Sequence, residues 1–297
     1  MSAVRVKGTV VRLTGGFYTV STPNGPIETR ARGLFRLEGT SPCVGDLAEV
    51  ELTGPGEGYL VDIAPRRNVL IRPPVANLDQ LMVVVAAAEP GPNFRVIDKL
   101  LTVSEYKDIP VVVVLTKTDL AGGEAVTDTY RLAGYPVIEC EGETMTDDLA
   151  SRFRAVLEGR LTALCGNTGV GKSSLLNRLR PDLELPTGEI SRSLGRGKHT
   201  TRHVELFEVL GGLVADTPGF SSLEIEKIER ITKEELPLCF REFENRWEDC
   251  RFPDCTHDRE PGCAVREAVE RGEIALSRYE SYLALLEDAR KLKSWEK

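Results

Sequence analysis

IPVVVVLTKTDL, residues 109–120, joins an apolar β-branched run to a short polar tail. Such a run, without polar alternation, reads as a strand buried on both faces of a parallel sheet. A Lys-x-Asp at the end of that strand is suited to reading a purine. The Lys117 stem lies on the base, and the Asp119 carboxylate accepts hydrogen bonds from the N1 and N2 edge that guanine alone presents. Thr116, Lys117, Thr118 and Asp119 are therefore candidate guanine contacts. This motif normally follows a phosphate-binding loop, yet nothing before residue 115 could hold a phosphate chain.

The phosphate loop lies downstream. LTALCGNTGVGKSSLLNRL, residues 161–179, places Gly166, Gly171, Lys172 and Ser173 in a P-loop spacing between a short apolar strand and a helical segment. Glycines let successive backbone N–H groups face the phosphates, and the following helix N-terminus favours anions. The expected nucleotide contacts are Gly166, Asn167, Thr168, Gly169, Val170, Gly171, Lys172, Ser173 and Ser174. Lys172 would reach the β- and γ-phosphates, and Ser173 would bind Mg²⁺. An ordinary strand-to-helix turn has no need of Lys-Ser after its last glycine.

GGLVADTPGF, residues 211–220, supplies a third piece. Asp216 at a strand end can hold Mg²⁺ through water, and Gly219 can offer its N–H to a γ-phosphate. The order is thus guanine motif, P-loop, Mg²⁺ motif: a circular permutation, which is feasible because domain termini often lie close together at the surface. The strands run LDQLMVVVAAA, IPVVVVLTKTD, YPVIEC, LTALCG, HVELFEV and GGLVADTPG. Helical segments such as FRVIDKLLTVSEY and TDDLASRFRAVLEG lie between several of them. That alternation predicts a largely parallel α/β sheet with helices on both faces.

With 297 residues, 41% apolar and 28% charged, the chain has room for two or three globular domains. No apolar run is long enough to cross a membrane, and MSAVRVKGTV has no signal-peptide core, so a cytoplasmic protein without membrane attachment is expected; a monomer is a separate expectation that these features do not decide. The net charge of −8 argues against unspecific coating of nucleic acid. Of seven cysteines, Cys43, Cys140, Cys165 and Cys239 read as separate buried thiols.

Residues 1–68 alternate in short strands with turns at Gly15-Gly16 and Asn24-Gly25, which predicts a small β-barrel of OB-fold type. Basic residues at 5, 7, 12, 30, 32 and 36, interleaved with Phe17, Tyr18 and Phe35, form either an RNA-stacking face or a solvated barrel surface. RRNVLIRPP, residues 66–74, reads as a linker. Residues 69–222 hold the permuted nucleotide domain, and 223–297 a third unit. There Cys250-x₄-Cys255-x-His257-x₅-Cys263 offers three thiolates and one imidazole, the donor set of a closed structural Zn²⁺ site. The turn-rich segment has little else to hold it. The helix after it, with Tyr279, Tyr282, Leu283 and Leu286 on one face, is expected to pack back on it.

A small barrel, a permuted nucleotide domain and this zinc spacing together resemble, over the whole chain, the ribosome small-subunit-dependent GTPase A family. The residues that carry the resemblance are TKTD at 116–119, GNTGVGKSS at 166–174, GRGKHTTRH at 195–203, DTPGF at 216–220 and the zinc quartet. The resemblance implies a GTPase that binds the small ribosomal subunit and its rRNA late in maturation, cycles between GTP and GDP, and is released on hydrolysis. Two positions depart from the family pattern. Thr116 stands where an Asn usually bridges base and P-loop, and EGET after YPVIEC replaces the Ser-Ala that touches the guanine O6.

GRGKHTTRH reads as switch I. Arg192, Arg196, Lys198 and Arg202 make it basic, and Thr201, rather than Thr200, is expected to complete the Mg²⁺ shell. Phe220 follows the DTPG glycine where a water-orienting Gln often stands, so unstimulated turnover should be slow, with His199 or His203 as candidates for the missing group. Because the DTPGF segment leads directly into the third unit, its motion could tilt that unit. Two other readings stay open: an RNA-binding assembly factor with a structural guanine nucleotide, and an adenine-nucleotide P-loop enzyme, against which LTKTDL counts.

Overall fold

The structure is a computed structural model that describes residues 4–33, 35, 39–71, 74–142, 144–185, 204–216 and 230–291. Its first unit follows from the alternation in the sequence. β1 (Arg5–Thr14), β2 (Phe17–Thr22), β3 (Gly25–Ala31), β4 (Leu47–Gly54) and β5 (Glu57–Ile63) pair in the order β1–β2–β3–β5–β4 and back to β1. Only β3 and β5 run parallel. A five-stranded sheet closed in this order leaves no free edge and is an OB-type barrel. Gly15 and Gly16 carry φ of 58° and 85°, as the tight β1–β2 turn requires. Val10, Val20, Ile27, Val50 and Leu60 fill the interior. Phe35, expected beside a stacking face, belongs to this core and is 5% exposed. Phe17 does face outward, with the Arg30 guanidinium 4.3 Å above its ring centre.

The described residues of the stretch read as a linker, 66–71 and 74, are structured. Arg66 Nε and Nη2 donate to the two carboxylate oxygens of buried Asp46 at 2.7 and 2.9 Å. β6 (Val69–Ile71) and β7 (Pro74–Ala76) form a hairpin, and Asn77 Nδ2 donates to Gly45 O at 3.0 Å. The barrel is thus bonded to the next unit rather than hung from it.

That unit is the predicted α/β sheet, in the order β10–β9–β8–β11–β13–β12. β8 (Gln80–Ala86), β9 (Val111–Thr116), β10 (Val137–Glu139), β11 (Leu161–Cys165) and β13 (Gly212–Asp216) are parallel; β12 (Glu205–Val209) is antiparallel to β13 and meets β1 at Arg12. α1 (Phe94–Tyr106) and α2 (Glu124–Leu132) cover one face, α3 (Asp147–Leu157) and α4 (Lys172–Leu179) the other. Every residue of β8 and β9 is buried, which is why their runs lack polar alternation. Each such side chain contributes about 1.5–3 kcal/mol on burial.

The third unit has far less regular structure. Among its described residues, three single 3₁₀ turns precede α5 (Ala264–Glu270) and α6 (Leu276–Lys291). At its centre Phe240 and Phe243 stack with ring centres 5.2 Å apart, and Tyr282 meets both edge-on at 5.2 and 4.9 Å. The expected face of α6 does pack on the cysteine-rich loop: Tyr279 OH donates to His257 O at 2.8 Å, and Tyr282 OH to Thr256 O at 2.7 Å. Among the described residues no helix is long and apolar enough to cross a membrane.

Candidate functional site

The loop from β11 to α4 is shaped by its glycines. Gly166, Gly169 and Gly171 have φ of 139°, 87° and 96°, which a Cβ disfavours. At Gly166 a Cβ would also lie 2.3 Å from Val84 O. The chain can therefore turn over the end of the sheet and enter α4 at Lys172, leaving the first helical N–H groups aimed into the loop. Lys172 Nζ donates to Gly166 O at 2.7 Å and Asn167 O at 2.9 Å, which holds the ammonium across the loop mouth. Ser173 follows, half-buried in the first turn of α4. β13 runs beside β11 in register Ala163–Ala215, so the backbone of Asp216 ends at the same edge of the sheet. Beneath the loop, burial pushes the Cys165 thiol up to about 12, so it is a neutral packing group there.

The guanine motif is tied to this loop. β9 ends at Thr116, and Lys117 takes a positive φ of 59°. Lys117 Nζ donates to Gly169 O at 3.0 Å and to Glu89 O in the loop before α1. Thr116 Oγ1 donates to Val170 O at 2.7 Å. The threonine thus keeps the P-loop half of the bridge expected of an asparagine. Asp119 is exposed, and its Oδ1 accepts the Gly142 N–H at 2.9 Å, while Thr118 Oγ1 donates to Cys140 O at 3.2 Å. The segment after β10, where the sequence left the O6 contact unassigned, is therefore fastened beside Asp119. β9, β10 and β11 deliver guanine motif, Gly142 and P-loop to one edge, as parallel strands with short loops require.

A second cluster lies in the third unit. The donor atoms of Cys250, Cys255, His257 and Cys263 all fall within 4.8 Å of one another. His257 Nδ1 is 3.7 Å from Cys250 Sγ and 3.5 Å from Cys263 Sγ. Burial lowers the His257 pKa, which keeps the ring neutral with a lone pair free to ligate. Burial and the neighbouring thiols push Cys255 up to about 12, a penalty that a divalent cation among the sulfurs would reverse. Glu260 braces the loop, accepting Thr256 N, Thr256 Oγ1, Asp258 N and Arg259 N at 2.7–3.0 Å. The donor set and its spread fit one tetrahedral zinc ion.

The sequence-predicted residues 116–119, 166–174 and the Cys₃His quartet thus fall into two assembled sites. Thr201, Thr200, His199, His203 and Gly219 lie outside the described residues, as do the whole basic run 192–203 and Phe220. The Glu89 carbonyl was missed, since a backbone acceptor has no residue signature. EPGPN, residues 89–93, nonetheless carried a local signal of a stiff loop ending in a helix cap, and Asn93 Oδ1 does accept from Val96 N at 3.2 Å.

Comparison with known proteins agrees with this geometry. The family model for the RsgA GTPase matches residues 63–226, and that for the RsgA N-terminal domain matches 7–60. The "Small ribosomal subunit biogenesis GTPase RsgA" of Geobacillus sp. (strain WCH70) is 46% identical over 293 residues, 97% of this chain and 98% of that one. The protein of the same name from Enterococcus faecalis (strain ATCC 700802 / V583) is 46% identical over 95% of both chains. Among solved structures, YjeQ from Thermotoga maritima matches with a TM-score of 0.81 at 34% identity, over 98% of this chain and 100% of that one. YloQ, described as a circularly permuted GTPase, matches with a TM-score of 0.79 at 35% identity, over 98% and 97%. The permuted order read from the guanine motif thus has its counterpart in YloQ, and the chain belongs to the RsgA GTPase family.

Proposed function

We propose that this chain binds GTP between Asp119 and the P-loop, hydrolyses it to GDP and phosphate with stimulation by the small ribosomal subunit, and acts in that subunit's late maturation. The observation that carries the reading is the pair of bonds from Thr116 and Lys117 to Val170 O and Gly169 O, which makes base site and phosphate site one rigid frame. The names of the relatives supply the ribosomal partner.

Each residue then has a task. Asp119 selects guanine, Lys117 lies along the base, and the N–H groups of residues 166–174 surround the phosphates. Lys172 exchanges its bonds to Gly166 O and Asn167 O for phosphate oxygens. Mg²⁺, held by Ser173, Thr201 and Asp216, would neutralise charge on the phosphates. Gly219 would sense the γ-phosphate, and His199 would help place water once RNA orders the basic loop. Zn²⁺, one per chain, would sit on Cys250, Cys255, His257 and Cys263 as a structural ion. The working division is a barrel for RNA at 1–68, the GTPase unit at 69–222 and the zinc unit at 223–297, in a cytoplasmic monomer.

The test is the hydrolysis rate with purified small subunits, large subunits and no ribosome. Stimulation by small subunits alone is expected; equal rates in all three sink the partner assignment. Single-turnover hydrolysis addresses the rival reading of a structural nucleotide: bound GTP that persists on small subunits would favour it.

A further inference from the structure

The zinc unit is fastened to the GTPase unit through α1. Arg278 of α6 is fully buried, and its guanidinium is engaged on every side. Nη1 donates to Asp98 Oδ1 on α1 at 2.8 Å, while Nε and Nη2 donate to the Glu242 carboxylate at 2.7 and 3.1 Å. The Phe240 ring centre lies 4.5 Å from the guanidinium carbon. The same Asp98 oxygen accepts the Tyr130 hydroxyl of α2 at 3.0 Å, and Tyr130 stacks on Phe94 in the first turn of α1. A buried ion cluster is a poor source of net stability, because desolvation offsets the attraction. What it does supply is direction: planar guanidinium and carboxylates bond in few geometries.

The N-terminal end of α1, about one turn before Asp98, reaches the nucleotide site. Asn93 caps the helix, and the loop just before it runs along the P-loop. Pro90 sits 3.5 Å from where a Cβ on Gly169 would lie, and Glu89 O accepts the Lys117 ammonium. Pro90–Asn93 and Val96 also border Gly166, Asn167 and Val170 across a narrow cleft. A shift of α1 is therefore a shift of the Lys117 acceptor.

We infer that Arg278, although it belongs to the zinc unit, is a positioning residue for the guanine nucleotide. It locks α1 through Asp98, α1 sets the Glu89–Asn93 loop, and that loop holds Lys117 against Gly169. The inference rests on the reading of Lys117 and Asp119 as the guanine site. It makes the zinc unit part of the frame of the base pocket, and it predicts a split in kinetics: nucleotide affinity depends on Arg278, whereas the chemical step does not.

The experiment uses the full zinc-loaded chain and measures GDP Kd with a fluorescent analogue, KM and kcat for GTP, zinc content and unfolding. Arg278→Gln is expected to raise Kd and KM about tenfold, a size usual for coupling through packed side chains, with kcat within about twofold. Arg278→Lys should recover part of the affinity. In a Lys117→Met background Arg278→Gln should add no further loss, because the route is already cut. An additive loss in that cycle, or unchanged Kd in Arg278→Gln with zinc retained, overturns the inference. Should Arg278→Gln fail to fold, Arg95→Ala decides. It removes the exposed α1–α6 pair with Asp288 at 3.0 Å, and should raise Kd about two- to threefold, the low end of such coupling; no change overturns the proposal. Failure of the underlying reading looks different: the wild type itself would then show no preference for GDP over ADP.

Discussion

The GTPase unit and the zinc unit are held together by different means. In the first, β8 and β9 bury every side chain between two helical layers, so stability is spread over many residues. Among the described residues of the second, three isolated 3₁₀ turns and two helices surround a small aromatic core, one Cys₃His cluster and the buried Arg278. The contrast teaches where each unit is vulnerable. Loss of one side chain from a continuous parallel sheet leaves most of the burial intact. Loss of one ligand from a four-donor cluster removes the constraint on the whole loop.

The largest effect should therefore come from the cluster. Structural zinc in small domains is worth about 10–16 kcal/mol of apparent folding free energy. Cys255→Ser, or strong chelation, should release about one zinc per chain and open the region 230–291 to hydrogen exchange. Strands β8, β9 and β11 should stay protected. Nucleotide should still bind, with the weaker affinity expected once α1 loses its clamp. A well-folded preparation without any bound metal would break the comparison at its root.

The converse change belongs to the sheet unit. Asp119→Asn removes the acceptor for the guanine N1 and N2 groups, and charge-assisted bonds contribute about 1.5–3 kcal/mol each. GTP affinity should fall about 100-fold or more, xanthosine triphosphate should bind better than GTP, and zinc content should not change. Lys172→Ala should weaken nucleotide binding on the same scale without opening the zinc unit. A titration showing full GTP affinity in Asp119→Asn would remove the guanine assignment.

The same contrast explains what could be read from the chain. The strands of the sheet unit were legible because burial on both faces leaves an unbroken apolar run, and the P-loop because positive φ at Gly166, Gly169 and Gly171 demands glycine. The Cys₃His quartet was legible because its ligands are local. Arg278 was not, for its partner Asp98 lies 180 residues away and both look like surface charges in the sequence. The linker at 66–74 was misread because Arg66 finds its acceptor in buried Asp46, another pairing without local signature. Phe35 was placed outside for a similar reason, since nothing local shows that it turns into the barrel. Tyr59, 45% exposed, was missed for the barrel face; it stands opposite Arg30 in the β3–β5 register and so continues the outward row from Phe17.

A smaller effect tests the bridge between base and phosphate sites. Thr116→Val keeps the shape but leaves Val170 O without its 2.7 Å donor. A neutral bond of this kind contributes about 1 kcal/mol, so Kd for GDP should rise about fivefold with no change in guanine preference. Thr116→Asn should restore the bond and tighten binding to wild-type level or beyond. If Thr116→Val binds GDP as the wild type does, the hydroxyl is packing rather than tether.

The smallest effect is a pH dependence within the zinc unit. Partial burial would raise the Glu260 carboxyl, but the donors on Thr256 and Asp258 outweigh it and hold it down from 4.5 to about 2. A carboxylate whose folded pKa is depressed stabilises the fold above its unfolded pKa, and that contribution is lost as pH falls toward the folded value. The window here is therefore about pH 4.5 down to about 2, and the full contribution is present at neutral pH. Glu260→Gln should destabilise the unit at neutral pH, because the amide N–H₂ meets N–H donors where a carboxylate oxygen accepted them. Protonation of His257 and the thiolates releases metal in acid from both proteins, so zinc content is measured alongside and the two are compared only where both retain it. The quantity to follow is thus the gap in denaturant midpoint between wild type and Glu260→Gln. It should be widest near neutrality and narrow steadily below about pH 4.5, as Glu260 loses its advantage over an uncharged side chain. A gap that stays constant as pH falls would mean that Glu260 acts through shape alone. The bracing of the cysteine loop would then rest on Tyr279 and Tyr282, whose hydroxyls bind the His257 and Thr256 carbonyls from α6.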